Sequence, residues 1–178
     1  MAGPGSGKST FAADLFAQMK KQNYKVELVT EFAKDCVYEK QFDILNTDQL
    51  YILAKQNRRI QRIFYSNEHI DFVITDSPLL LNIVYGKLNN YFFSAEPFNN
   101  MCHSLFNQYN NINILLERTN VKFDPDGRVQ KTEDEAIKID NLIKNLLDSF
   151  GYNYEMIQNR EITIEFIQRI LNNKQILE

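Results

Sequence analysis

The chain has 178 residues, 44% of them hydrophobic and 24% charged, with a formal net charge of −3. That balance excludes a disordered chain, and the length suits one compact domain spanning residues 1–178. No run approaches the roughly 18 apolar residues of a membrane span, and the N-terminus has neither a basic region nor an apolar run of a secretory signal, so a cytoplasmic protein is expected. The negative charge argues against binding to a nucleic-acid backbone, and any anionic partner must be met by a local site. Cys36 and Cys102, with His69 and His103, show no metal-ligand spacing and read as reduced structural thiols.

The first feature along the chain is a cluster of glycines: three of the six fall at Gly3, Gly5 and Gly7. They run into Lys8-Ser9-Thr10 and then into Phe11, Leu15, Phe16 and Met19 at helical spacing, so a loop opens a helix. Residues 25–30 (KVELVT) and 70–75 (IDFVIT) read as strands, the second of the type buried in a parallel sheet. One helix is expected between them, starting where Asn46 and Gln49 form a capping-box-like pair and carrying Leu50, Leu53, Ile60 and Phe64 on one side. Pro78 is placed in the first turn of a further helix, LLLNIVY. A helix from about residue 97 to 109 precedes a strand at 112–117 (INILLE). Thr132 and Glu135 form a second capping box, whose helix runs through Ile139, Leu142, Ile143, Leu146 and Leu147 to a C-cap at Gly151. A strand at 154–157 and a helix at 161–172 close the chain. Strands alternating with helices predict a three-layer α/β fold around a parallel sheet.

Gly3-Pro4-Gly5-Ser6-Gly7-Lys8-Ser9 matches the later positions of G-x-x-x-x-G-K-[ST], with Ala2 where the first glycine usually stands. Glycines let successive backbone N–H groups curl around phosphate oxygens, the lysine sets a cation on the β- and γ-phosphates, and the hydroxyl reaches Mg²⁺. The helix N-terminus adds its dipole. Gly3 to Thr10 are therefore the expected ATP site, with Ser9 a metal ligand. Such a loop normally follows a buried strand, yet only Met1 and Ala2 precede it; the expectation is a first strand missing from this sequence, with a reading frame extending upstream of Met1.

Asp76 ends an apolar strand, where a carboxylate can order Mg²⁺ through water or accept a proton from a substrate hydroxyl, and where it can equally cap the next helix. Glu31 ends the adjacent strand on the same carboxyl edge, where open α/β sheets bind ligands; a solvated or capping carboxylate is the alternative. Gln49 and Gln56 share a helix face with Leu53 and can read a base edge or make core-edge hydrogen bonds. Of Arg58, Arg59 and Arg62, Arg59 lies nearest that stripe and is the candidate for a substrate phosphate. Arg118 and Arg128 flank a polar, turn-rich segment.

The GPGSGKST loop resembles those of nucleoside and nucleotide kinases. Val29-Thr30-Glu31-Phe32-Ala33-Lys34, Leu53-Ala54-Lys55-Gln56, Asp76-Ser77-Pro78-Leu79 and Phe123-Asp124-Pro125-Asp126-Gly127-Arg128 extend the likeness over most of the chain. Together they resemble the AAA-type family typified by the ribosylnicotinamide-kinase domain of bacterial NAD regulators and its small phage relatives. The resemblance implies a P-loop kinase fold and phosphoryl transfer from Mg-ATP to a small nucleoside-like or nucleotide acceptor, ribosylnicotinamide among them. It implies a short lid at about residues 118–132 whose Arg118 and Arg128 clamp the transferring group, Glu31 as base or hydroxyl ligand, and Arg160 stacked on adenine. The catalytic set is then Lys8, Asp76, Glu31, Arg118 and Arg128. The rivals are a nucleotide-binding ATPase or regulatory switch and a catalytically degenerate P-loop protein; a polynucleotide kinase is disfavoured by the charge. An N-K-x-D base-recognition segment is not formed, because Asn173-Lys174 continues into Gln175-Ile176. Neither the acceptor's identity nor an oligomeric state follows from the sequence.

Overall fold

The computed structural model describes residues 1–66, 69–89, 95–118, 124, 130, 132–158 and 161–175, the last three of these by backbone alone. The order is α1 (Lys8–Lys21), β1 (Val26–Val29), α2 (Phe32–Tyr38), α3 (Phe42–Thr47), α4 (Gln49–Phe64), β2 (Phe72–Thr75), α5 (Leu81–Leu88), α6 (Ala95–Phe106), β3 (Ile114–Leu116), α7 (Glu133–Ser149), β4 (Glu155–Ile157) and α8 (Ile164–Gln175). This mixed α/β architecture with parallel strands is that of a P-loop NTPase-like fold.

The strands form two parallel pairs. β1 lies beside β2 with Val26 opposite Phe72 and Val29 opposite Thr75, and β3 lies beside β4 with Ile114 opposite Glu155. Alternation along each strand sends neighbours to opposite faces. Val29, Val73 and Leu115 join a core with Leu53, Ile60, Phe106, Ile139, Ile143 and Leu147, on the side of α4 to α7. Val26, Phe72, Ile74 and Leu116 join a second core with Phe11, Leu15, Met19, Ile167 and Ile170, on the side of α1 and α8. The sheet layer separates the two. Between β2 and β3, where no described strand lies, is a cavity of about 580 Å³.

The backbone of Met1 reaches into this gap. Its N-terminal amine donates to Ile114 O, and Leu116 N donates to Met1 O at 2.8 Å, which is the pattern of a parallel bridge to β3.

Several expected boundaries move. Three helices, not one, occupy the chain between β1 and β2, because α2 and α3 are 7 and 6 residues long, too short for periodicity to reveal. Asn46 therefore lies inside α3, and the cap of α4 is Asp48, whose carboxylate accepts from Tyr51 N at 2.9 Å. Pro78 sits before α5: Leu81 N to Pro78 O (3.0 Å), Asn82 N to Leu79 O (3.2 Å) and Ile83 N to Leu80 O (3.1 Å) make a tighter turn ahead of the helix.

At α7 the capping box forms as read, with Glu135 N on Thr132 Oγ1 and Thr132 N on Glu135 Oε2, both at 3.3 Å. Its far end closes in a Schellman motif: Gly151 adopts φ 67°, with Tyr152 N on Leu147 O at 3.0 Å and Gly151 N on Asp148 O at 3.2 Å. Cys36 and Cys102 are both buried free thiols, and burial pushes the Cys102 thiol up to about 12. No helix among the described residues is long and apolar enough to cross a membrane.

Candidate functional site

The glycine loop is built by left-handed turns and by its contact with α7. Gly5 (φ 73°) and Gly7 (φ 80°) adopt backbone that side chains disfavour, and Gly7 is the N-cap of α1 without a side-chain cap bond. Gly3 has a different reason to be glycine: a Cβ there would lie 2.7 Å from Ala136 O and 2.8 Å from Asp140 Oδ1. Asp140 accepts from Gly3 N with Oδ1, and its Oδ2 accepts from Arg118 Nε at 2.8 Å. Arg118 Nη2 in turn donates to Pro4 O at 2.6 Å. Within the loop, Ser6 Oγ and Lys8 Nζ both donate to Gly3 O at 2.8 Å. The cradle is thus held by a half-buried carboxylate–guanidinium pair behind it.

Opposite the loop, Ser9 Oγ donates to Asp76 Oδ2 at 2.6 Å. Asp76 is buried, and its Oδ1 has no partner among the described residues. A hydroxyl and a half-satisfied carboxylate at the mouth of a phosphate loop are hard oxygen donors of the type Mg²⁺ takes while keeping waters and phosphate oxygens. The described residues contain no cluster of three or more His, Cys, Asp or Glu that would hold a metal by itself.

Beside this pair opens a second cavity of about 280 Å³. Gly5, Gly7, Lys8, Ser9 and Thr10 border it on the loop side, and Glu31, Gln49, Ser77, Asn82, Tyr85 and Gln130 are among its other walls. Glu31 is half-buried at the N-terminus of α2 and makes no side-chain cap bond there. Gln49 is buried and donates through Nε2 to Asn82 Oδ1 at 2.7 Å, while Asn82 Nδ2 donates to Leu79 O at 3.0 Å.

The remaining candidates stand elsewhere. Gln56 is spent on backbone: Oε1 accepts from Phe32 N at 2.8 Å, and Nε2 donates to Thr30 O at 3.4 Å and Thr75 Oγ1 at 3.5 Å. It brackets the ends of β1 and β2 and does not border the cavity. Arg59 pairs with Asp35, donates to Thr30 O at 3.2 Å and lies over the Phe32 ring at 5.2 Å, tying α4 to α2. Arg118 lies behind the loop, its side chain 10% exposed and its Nη1 without a partner among the described residues. Arg128 and Arg160 lie outside the described residues, as does most of the expected lid.

Sequence reasoning missed Asp140, Asn82 and Tyr85. Asn82 had a signal, as the one polar residue in the apolar run LLLNIVY. Asp140 had almost none: it sits one turn from Ala136 beside the apolar stripe of α7, and its partners lie 137 and 22 residues away.

A glycine loop feeding a helix at the edge of a parallel sheet, with lysine, serine and strand-end aspartate converging on it, defines a P-loop nucleotide-binding protein. A family model described as an AAA domain matches residues 2–163. The chain belongs to that family. No curated protein matches it.

Proposed function

We propose that this protein is a Mg-ATP-dependent kinase that phosphorylates a small nucleoside-like or nucleotide acceptor. The observation that carries this reading is the 280 Å³ cavity, which continues from the phosphate loop into a polar chamber walled by Glu31, Gln49 and Asn82. An ATPase that passes its phosphoryl group to water needs no such chamber. A hydroxyl-bearing small molecule fits there with its acceptor atom toward the loop.

In this scheme the loop amides and Lys8 hold the donor phosphates, and the N-terminus of α1 adds its dipole. Ser9 and Asp76 would hold Mg²⁺, which supplies charge neutralisation across the β- and γ-phosphates. Glu31, or the free oxygen of Asp76, accepts the proton of the attacking hydroxyl. Gln49, fixed by Asn82, offers its amide to a planar acceptor group. Gln56 and Arg59 act one step back by fixing the backbone that carries Glu31. Arg118 sets the loop through Pro4 O, and Arg128 and Arg160 retain the lid and adenine roles that the family resemblance implies. Ribosylnicotinamide is the acceptor to which that resemblance points; a deoxynucleoside or nucleoside monophosphate satisfies the same chemistry.

The test is ADP formation from Mg-ATP with and without a panel of nucleosides and nucleotides. Stimulation by one acceptor, together with its phosphorylated product, is the expected result. Equal turnover with and without every acceptor would overturn the kinase reading in favour of an ATPase or switch, and failure to bind ATP would make the site degenerate.

A further inference from the structure

One polar wall of the 280 Å³ cavity has its chemistry fixed by the chain itself. Asn82 Nδ2 donates to Leu79 O at 3.0 Å, and a backbone carbonyl can only accept, so the Asn82 amide cannot be reversed without setting oxygen against oxygen. Its Oδ1 therefore needs a donor, and Gln49 Nε2 supplies one at 2.7 Å. Orientation passes from amide to amide: with Nε2 turned to Asn82, the Gln49 oxygen is the end that is left. Both residues are buried, and both border the cavity.

Among the described residues no donor reaches Gln49 Oε1, and it is not one of the polar atoms sealed away from water. The stem of Gln49 is held as well as its head: a Cβ added to Gly86 would lie 3.6 Å from Gln49 Cγ and 3.2 Å from Phe98 Cε1, so the stem rests directly on α5. Val37, Leu45, Ile52 and Leu81 give the cavity apolar walls, a slot suited to a flat ring whose edge meets the oxygen. The charged side chains of the lining, Lys8, Glu31 and Lys34, come from α1 and the start of α2, whereas α4 and α5 contribute only uncharged residues.

We propose that Gln49 Oε1 selects the head group of the phosphoryl acceptor: an uncharged planar group with an N–H donor, as an amine, amide or imide has, is taken, and one that offers only lone pairs or a carboxylate is refused. Asn82 is the positioning residue that makes the choice one-sided. A glutamine amide free to turn meets donors and acceptors alike, because it holds both. Pinned by Asn82, it presents an oxygen that a donor-free edge strips of water without replacing the hydrogen bond. The inference rests on the small-molecule kinase reading for placing the acceptor in this cavity, and adds the feature by which one acceptor is told from another.

The experiment measures equilibrium binding by calorimetry for pairs of nucleosides that differ by loss of the donor: adenosine and purine riboside, cytidine and the pyrimidinone riboside that lacks its amine, and ribosylnicotinamide and its carboxylate analogue. In each pair that binds, the member with the N–H should bind about 100-fold more tightly. In Asn82→Leu the Gln49 amide turns freely, and that ratio should fall below about 10 as the donor-free member gains affinity. Gln49→Met keeps the length of the side chain and should bind both members equally, which keeps the test decisive where Asn82→Leu does not fold. A pair that the unaltered protein binds equally, or a ratio that Gln49→Met leaves unchanged, would overturn the proposal even with acceptor-stimulated ADP formation in hand. Discrimination in binding without any acceptor-stimulated turnover would instead overturn the kinase reading and uphold the selection by Gln49. Binding of none of these compounds would overturn both.

Discussion

Lys8 and Asp140 act on the same loop from opposite sides, and their substitutions should fail differently. On the proposed kinase reading, Lys8→Ala removes the cation that would meet the donor phosphates and leaves the cores untouched, so turnover should fall about 1000-fold or more with Tm nearly unchanged, as steady-state rates and a melting scan would report. Asp140→Ala leaves Arg118, half-buried beside Pro4, with its ion pair broken and Gly3 N without its acceptor, which should destabilise the protein by about 1–2 kcal/mol in urea unfolding and, on the proposed reading, weaken ATP binding. Since the guanidinium and carboxylate share one network, Arg118→Met combined with Asp140→Leu should cost less than the two single changes added together. Gly3→Ala belongs with Asp140: the clash is with the Ala136 carbonyl, which a helix backbone cannot move cheaply.

At the scale of elements, α7 is the clearest case of local sequence dictating structure. Its capping box at Thr132 and its left-handed stop at Gly151 are both written within a few residues of where they act. Thr132→Ala and Gly151→Ala should each cost about 1 kcal/mol, the second through backbone alone because nothing lies within 4 Å of an added Cβ. The two sites lie at opposite ends of a 17-residue helix, so the double variant should show the sum by chemical denaturation. The same legibility held for the glycine loop that opens α1, for the faces of α1 and α4 and for the four described strands, since periodicity and caps are local codes. It failed for α2 and α3, which are shorter than the period that would reveal them. It failed also at Asp140 and at the Gln49–Asn82 pair, where the meaning of a polar residue depends on a partner far along the chain. Gln56 shows the converse: its helix face was readable, but the backbone groups that occupy its amide were not.

For the molecule as a whole, burial of His103 makes stability depend on pH, because it holds the imidazole below its ordinary 6.5. With the folded pKa lowered, the unfolded chain binds more protons as pH falls through 6.5, so stability rises with pH there. The urea midpoint should therefore fall as pH drops through that value. In His103→Gln this slope should be lost. Helix α1, finally, begins at Gly7 with no side-chain cap and no acidic residue in its first turn, where a lysine stands instead. By the usual electrostatics of helix ends this is an unfavourable start, unless an anion completes it. On the proposed reading the nucleotide is the helix's missing N-cap, and folding and binding share one equilibrium: at a ligand concentration 100 times Kd the folded state should gain about 2.7 kcal/mol, read as a rise in Tm that Lys8→Ala diminishes.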